Sequence, residues 1–330
     1  MIYFHAGTAA RANARRCSWR TVGRVIAAST LSPDAPAAPH DLRQFFRSVG
    51  RFTGQRALLS SPMERSDTDV PVDVLDPGPV EVVADPLVPA GFVDGVQASL
   101  CVTYRAHRPV FLSYTAAGAV GAKATPLGLV EELVVVCSTL DRTWVDDLGS
   151  TIPVLEVAET APPDVERAAH HHLGGARERQ ERALVNDLTS RHVTPLIVDG
   201  GLIGRDYNKD LMGVVKSTGR RYLPDESVLF ALAPGWRSPR FRIPAGSSNQ
   251  RHDRFSCYLR LHSAAHQAWN FGLIRLETFD AAHLDPLAAR ALLERQASAS
   301  GDARWDRHLA SVAAVESFLR ARRPAVYGAL

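Results

Sequence analysis

The chain has 330 residues, 45% hydrophobic and 22% charged, with a formal net charge of +3. That is the composition of an ordinary soluble globular protein, with room for one large domain or two smaller ones around a sizeable core. No apolar run approaches the roughly 18 residues a membrane helix needs, and so small a net charge does not by itself announce a nucleic-acid partner.

In chain order, Met1 to Ser29 is rich in Arg and Ala and contains no acidic residue. It has the composition of an organelle transit peptide, with a basic N-terminal helix as the alternative, and it lacks the apolar stretch of a secretory signal. Leu31 to His40 is Pro/Ala/Ser-rich and reads as a linker, so residues 1–40 form a basic segment and linker in which partial disorder is expected. Residues 41–88 read as a helical and loop extension: Leu42, Phe45, Phe46, Val49 and Phe52 fall near helical spacing, Ser60 to Pro77 is polar and Pro-rich, and Val80 to Val83 suits a strand.

The main domain is placed at 89–330. Phe92 to Gln97, Ser99 to Arg105 and Val110 to Tyr114 predict an antiparallel meander with a turn at His107-Arg108-Pro109, and Leu129 to Val136 is a further apolar run. Val154 to Val157 predicts a short strand. A long helix is predicted from Pro163 to Ser190, with Gly174-Gly175 as a potential break, followed by a buried strand at Pro195 to Asp199. Met212 to Lys216, Val228 to Leu232, Ser256 to Leu261 and Gly272 to Glu277 predict strands, and Pro234 to Arg254 reads as a long basic loop. Two helices, Pro286 to Gln296 and Arg304 to Arg320, close the chain. Cys17, Cys101, Cys137 and Cys257 are far apart, without a C-x-x-C pair, which points to a reducing, cytoplasmic setting rather than a disulfide framework.

Two stretches carry the chemistry: Gly91-Phe92-Val93-Asp94-Gly95 and Leu196-Ile197-Val198-Asp199-Gly200-Gly201-Leu202. Each reads as an apolar strand delivering an aspartate to its end. Asp-Gly is also a favoured turn pair, so each alone has a bland reading; together they could bring two carboxylates to one sheet edge, the hard-oxygen environment Mg²⁺ and Mn²⁺ prefer. Glu181, or Glu178 one turn earlier, could join them from the helix, although Arg191 to Thr194 is a short connection. Lys216 ends an apolar strand where it could hold a phosphate, and the alternative for it and for His308 is an exposed surface residue. Adjacent histidines such as His170-His171-His172 point different ways on a helix, so exposure is expected there. From Arg205 to Arg260 there are eleven Lys/Arg against five Asp/Glu, and Arg237, Arg240, Arg242, Arg251 and Arg254 with Trp236 are the expected nucleic-acid contacts, by charge and stacking. No P-loop, G-x-S-x-G, H-E-x-x-H or post-strand G-x-G-x-x-G occurs.

The order of five motifs resembles the NurA nuclease family: Phe92-Val93-Asp94-Gly95, then Glu181, then Ile197-Val198-Asp199-Gly200-Gly201-Leu202, then Met212-Gly213-Val214-Val215-Lys216-Ser217, then Leu273-Ile274-Arg275-Leu276-Glu277. The resemblance covers Pro89 to about Arg320. It implies an α/β, ribonuclease H-like mixed sheet flanked by helices, with an N-terminal extension and C-terminal helices. It further implies Mn²⁺- or Mg²⁺-dependent cleavage of DNA, a homodimer, and docking onto a hexameric HerA-type ATPase translocase, in DNA end processing or defence against phage. Carried over, Asp94, Glu181 and Asp199 resemble the metal-binding acids, Lys216 the family lysine and His308 the late histidine. Val96 stands where the family has serine, and no tyrosine matches the one before that histidine. These departures favour, as the alternative, a catalytically inactive adaptor or DNA-binding subunit of an ATPase complex; a single-strand binder relying on the basic stretch alone is a third reading.

Overall fold

The computed structural model describes residues 71–216, 222–246, 251–264, 269–296 and 309–327, and the backbone of Val25–Ala27. The expected transit peptide or basic helix, the linker, the helix over 41–59 and His308 lie outside these residues. Thirteen described strands join in one sheet. In chain order they are β1 (Val25–Ala27), β2 (Asp73–Val74), β3 (Val80–Glu81), β4 (Gly91–Arg105), β5 (Arg108–Val120), β6 (Pro126–Ser138), β7 (Val154–Val157), β8 (Leu196–Asp199), β9 (Leu211–Val215), β10 (Trp236–Arg237), β11 (Phe241–Ile243), β12 (Arg254–Arg260) and β13 (Leu273–Thr278). The described helices are α1 (Arg142–Asp147), α2 (Pro162–Ser190), α3 (Ser227–Ala231), α4 (Leu284–Glu294) and α5 (Ala310–Arg322).

The result is a mixed α/β fold, a large and mostly antiparallel sheet flanked by helices. β4, β5 and β6 make an antiparallel meander that their long, apolar, β-branched runs favour, and Phe92 to Gln97 and Ser99 to Arg105, expected as two strands of it, are the one continuous strand β4. The β4–β5 turn falls at Ala106 and His107, both at positive φ, so Arg108 and Pro109 already belong to β5 rather than to the expected turn. α2 then crosses over and the chain returns in β8, parallel to β4, with β9 parallel to β8 in turn. The strand order through this core is β6-β5-β4-β8-β9, and β13 and β12 extend it antiparallel.

Alternation along the strands sorts the core onto two faces. Phe92 of β4 and Ile197 of β8 pack in one cluster with Leu284 and Leu287 of α4 and Val312, Val315 and Leu319 of α5. Their neighbours Val93 and Val198 pack with Leu184, Val185 and Leu188 of α2 on the other face. α2 runs unbroken through Gly174-Gly175, because its buried stripe from Val165 to Leu188 holds it along its length.

Two further expectations need correction. Val228 to Leu232 is not a strand; Ser227–Ala231 forms α3, a short apolar run that periodicity cannot distinguish from a strand. The stretch 234–254 is not simply a loop, since β10 and β11 pair with β12. Within the expected helical and loop extension, β2 pairs with β11 and β3 with β10, so residues 71–88 carry strands of the main sheet.

Candidate active site

The parallel register of β4 and β8 runs Gly91 opposite Leu196, Phe92 opposite Ile197 and Val93 opposite Val198. Asp94 and Asp199 are the next residue on each strand, about one inter-strand spacing apart. They alternate away from Val93 and Val198, so both are directed to the face that carries α4 and α5. Gly118 of β5 lies directly opposite Asp94, and a Cβ there would come within 2.7 Å of Leu319 on α5. Asp94 is thus roofed by α5 and buried.

The Asp94 carboxyl is held well above the ordinary value of 3.8. Burial is the largest cause and the negative charge of Asp199 adds to it; Lys216 and the Gly95 N–H oppose, and Glu181 adds a smaller push. The N–H of Gly95 donates to Asp94 Oδ1 at 2.7 Å. Lys216, one residue past β9, places Nζ 2.6 Å from Asp199 Oδ2. Asp199 at the end of β8, Lys216 just past β9 and Asp94 inside β4 therefore come together, although Asp94 lies more than a hundred residues before the other two; the expectation that Asp94 ends its strand is corrected, because β4 continues through Gly95 to Arg105.

Glu181 arrives from the other side. A Cβ on Gly95 would lie 2.4 Å from Glu181 Oε1, so the carboxylate sits over the glycine on the α2 face of β4. It is buried and ion-paired to Arg177 at 2.8 Å and Arg205 at 3.0 Å. Burial raises its pKa against the pull of the two arginines, with Asp199 adding to the rise. The short connection back to β8 poses no obstacle: α2 ends in a tight turn in which the Val193 N–H bonds to the Leu188 carbonyl and His192 takes a positive φ of 60°. Of the three expected metal-binding carboxylates, Asp94 and Asp199 lie on one face of the sheet and Glu181 on the other. Among the described residues no group of three His, Cys, Asp or Glu is placed to hold a metal. Glu178, the fallback, is exposed on α2.

A further acid orders the turn that follows Asp199. Glu277 is fully buried, accepts from the Leu202 N–H at 2.8 Å and pairs with Arg254 at 2.7 Å and Arg275 at 2.8 Å. Burial pushes its carboxyl up, but the two guanidiniums and the N–H outweigh this and leave it below its usual range.

The basic stretch does not form the expected solvent-facing cradle. Arg237 and Arg254 are buried, Arg237 against Asp76 and Asp285 and Arg254 against Glu277. For these two the nucleic-acid role is corrected, because an arginine sealed in ion pairs has no open face for a phosphate. Arg240 pairs with Asp76 and Asp285, and Arg242 with Asp73 and Asp253. Arg251 is exposed and Trp236 is at the surface of β10.

Sequence reasoning missed the cations that hold Glu181. Arg177 was detectable as its i−4 neighbour on a helix; Arg205, distant along the chain, gave no local signal. Neither a family model nor a curated protein matches the chain. Among the described residues no helix is long and apolar enough to cross a membrane.

Proposed function

We propose that the chain is a metal-dependent DNA nuclease of the ribonuclease H-like kind. One observation carries the reading: Asp94, the fourth residue of β4, and Asp199, the last of β8, stand side by side on adjacent parallel strands, in a sheet whose core order is three antiparallel strands followed by two parallel ones. A buried acid whose pKa is raised by burial and by a neighbouring carboxylate is the donor chemistry a hard divalent cation relieves. Asp94 and Asp199 would hold Mn²⁺ or Mg²⁺, with Glu181 able to contribute once released from Arg177 and Arg205. When bound, the metal supplies an activated water and stabilises the leaving oxygen of the phosphodiester. Lys216, which pairs with Asp199, would neutralise the scissile phosphate. The Gly200-Gly201 turn, pinned through Leu202 to Glu277, keeps Asp199 at the rim. The homodimer and the HerA-type ATPase belong to the same proposal and are tested by co-purification.

The test is cleavage of labelled DNA with Mn²⁺ by wild type, Asp94→Asn and Asp199→Asn. Each substitution is expected to reduce the rate by more than about a hundredfold, since even partners beyond the ligands themselves cost about 10–100-fold. Equal cutting by all three proteins refutes the assignment.

A second reading, an inactive adaptor or DNA-binding subunit, is favoured by the ion pairs: Lys216 on Asp199, and Arg177 and Arg205 on Glu181, neutralise two of the acids without any metal. Calorimetric titration separates the two readings. A nuclease binds Mn²⁺ and loses affinity with Asp94→Asn; an adaptor binds none.

A further inference from the structure

α2 and the chain between β8 and β9 enclose a groove of about 680 Å³ on the face opposite α4 and α5. Arg182, Arg205, Tyr207 and Lys209 line it, with Asp206 and Asp210 among its other walls. Arg205 joins the groove to the acid cluster. Its side chain is 8% exposed, Nη2 donates to Glu181, and Nη1 is buried without a hydrogen-bond partner. A buried guanidinium N–H lacking an acceptor is uncommon and calls for a partner the chain itself does not provide. Tyr207 is 56% exposed, yet its ring is braced at 5.6 Å by both His252 and Phe279. A rigid, exposed aromatic beside several cations is the combination that holds a single nucleic-acid strand. From Arg182 to Ser190 the groove follows α2 for about 12 Å, room for about three stacked nucleotides.

The geometry points to this groove, rather than the arginines of 237–254, as the track for single-stranded DNA. Arg182 and Lys209 take adjacent backbone phosphates and Tyr207 stacks a base, while Arg205, held by Glu181 at the inner wall of the groove, adds positive charge behind them. The assignment rests on the nuclease reading for its choice of ligand, but strand binding is measurable without cleavage.

The experiment is fluorescence anisotropy of a labelled oligodeoxythymidine about 12 nucleotides long, titrated with the full chain in chelator-containing buffer at several salt concentrations. Arg182→Gln/Lys209→Gln is expected to weaken binding at least about tenfold and to lower the slope of log K against log salt by about 1.4, two phosphate contacts on a single strand. Tyr207→Ala is expected to weaken it about tenfold. Arg167→Gln, an exposed arginine on the same helix about 22 Å away, is expected to match wild type. Wild-type binding by the double variant and by Tyr207→Ala overturns the proposal; so does equal weakening by Arg167→Gln, or thymidine monophosphate binding as tightly as the oligonucleotide. If the groove variants lose DNA while Asp199→Asn still cuts at the wild-type rate, the nuclease reading fails and the groove stands. If Asp199→Asn is inactive and the groove variants bind normally, the groove fails alone.

Discussion

At the scale of single residues, Asp94 is where activity and stability pull apart. Its burial beneath α5 and the nearby charge of Asp199 raise its pKa, so ionising it costs folding free energy. The unfolded chain releases this proton at an ordinary carboxylate pH, near 3.8, and the folded chain only at higher pH. The native state therefore loses stability as pH rises from about 3.8 through the raised value. Asp94→Asn removes that penalty and keeps an oxygen for the Gly95 N–H. It is expected to abolish cleavage while raising Tm at pH 7, on the order of 2 °C; at the acid end, where Asp94 holds its proton, the difference should vanish. Differential scanning across pH checks this, and a variant less stable than wild type at neutral pH contradicts the account of the site. Strain of this sort is common where chemistry is done.

At the scale of elements, α2 carries the most of the argument. It covers one face of the sheet, delivers Glu181 to Gly95 and walls the groove. Gly174 lies within it at no special backbone angle, and a Cβ there would meet nothing within 4 Å. Gly174→Ala is therefore expected to stabilise the protein by about 0.5–1 kcal/mol, through lost freedom of the unfolded chain. Urea denaturation checks it, and a decrease in stability shows that the helix needs the glycine. Elements with their own period were legible in the sequence: α2, β8, β9 and β13 emerge from local pattern with ends shifted by a few residues, whereas Phe92 to Gln97 and Ser99 to Arg105, read as two strands, are the single strand β4. α3 was not, because Val228-Leu229-Phe230 is too short for periodicity to decide. β10 and β11 were not, because β10 pairs with β3 and β11 with β2, both far off in sequence, and the arginines they carry meet Asp73, Asp76 and Asp285, which are equally distant. The same limit applies to the site. Asp199 and Lys216 at their strand ends could be read locally, whereas the place of Asp94 inside a longer strand and the face on which Glu181 sits depend on strand pairing, on alternation and on which helix covers which side.

At the scale of the whole molecule, the far edge of the sheet is closed by residues that precede the meander. β2 and β3 lie against β11 and β10, and between them Asp76 accepts from Arg237 at 2.7 Å, from the Arg240 side chain at 2.8 Å and from the Arg240 N–H at 3.0 Å. Burial pushes the Asp76 carboxyl up, but the hydrogen bonds and charge of Arg240 and Arg237 outweigh it and hold the pKa at about 2. A depressed carboxylate stabilises the fold above its unfolded pKa of 3.8, and that contribution fades as pH falls from there toward 2. Asp76→Ala also leaves the buried Arg237 with Asp285 as its remaining carboxylate partner. The variant is expected to lose about 1–3 kcal/mol at pH 7, the range for stranding a buried hydrogen-bonding group. The gap from wild type should narrow between pH 4 and about 2, where wild-type Asp76 takes up its own proton. If residues 71–88 are a true part of the domain, urea unfolding of the variant stays a single transition with a lower midpoint and an unchanged slope. A wild-type midpoint would show that residues 71–88 merely lie against a domain that does not need them.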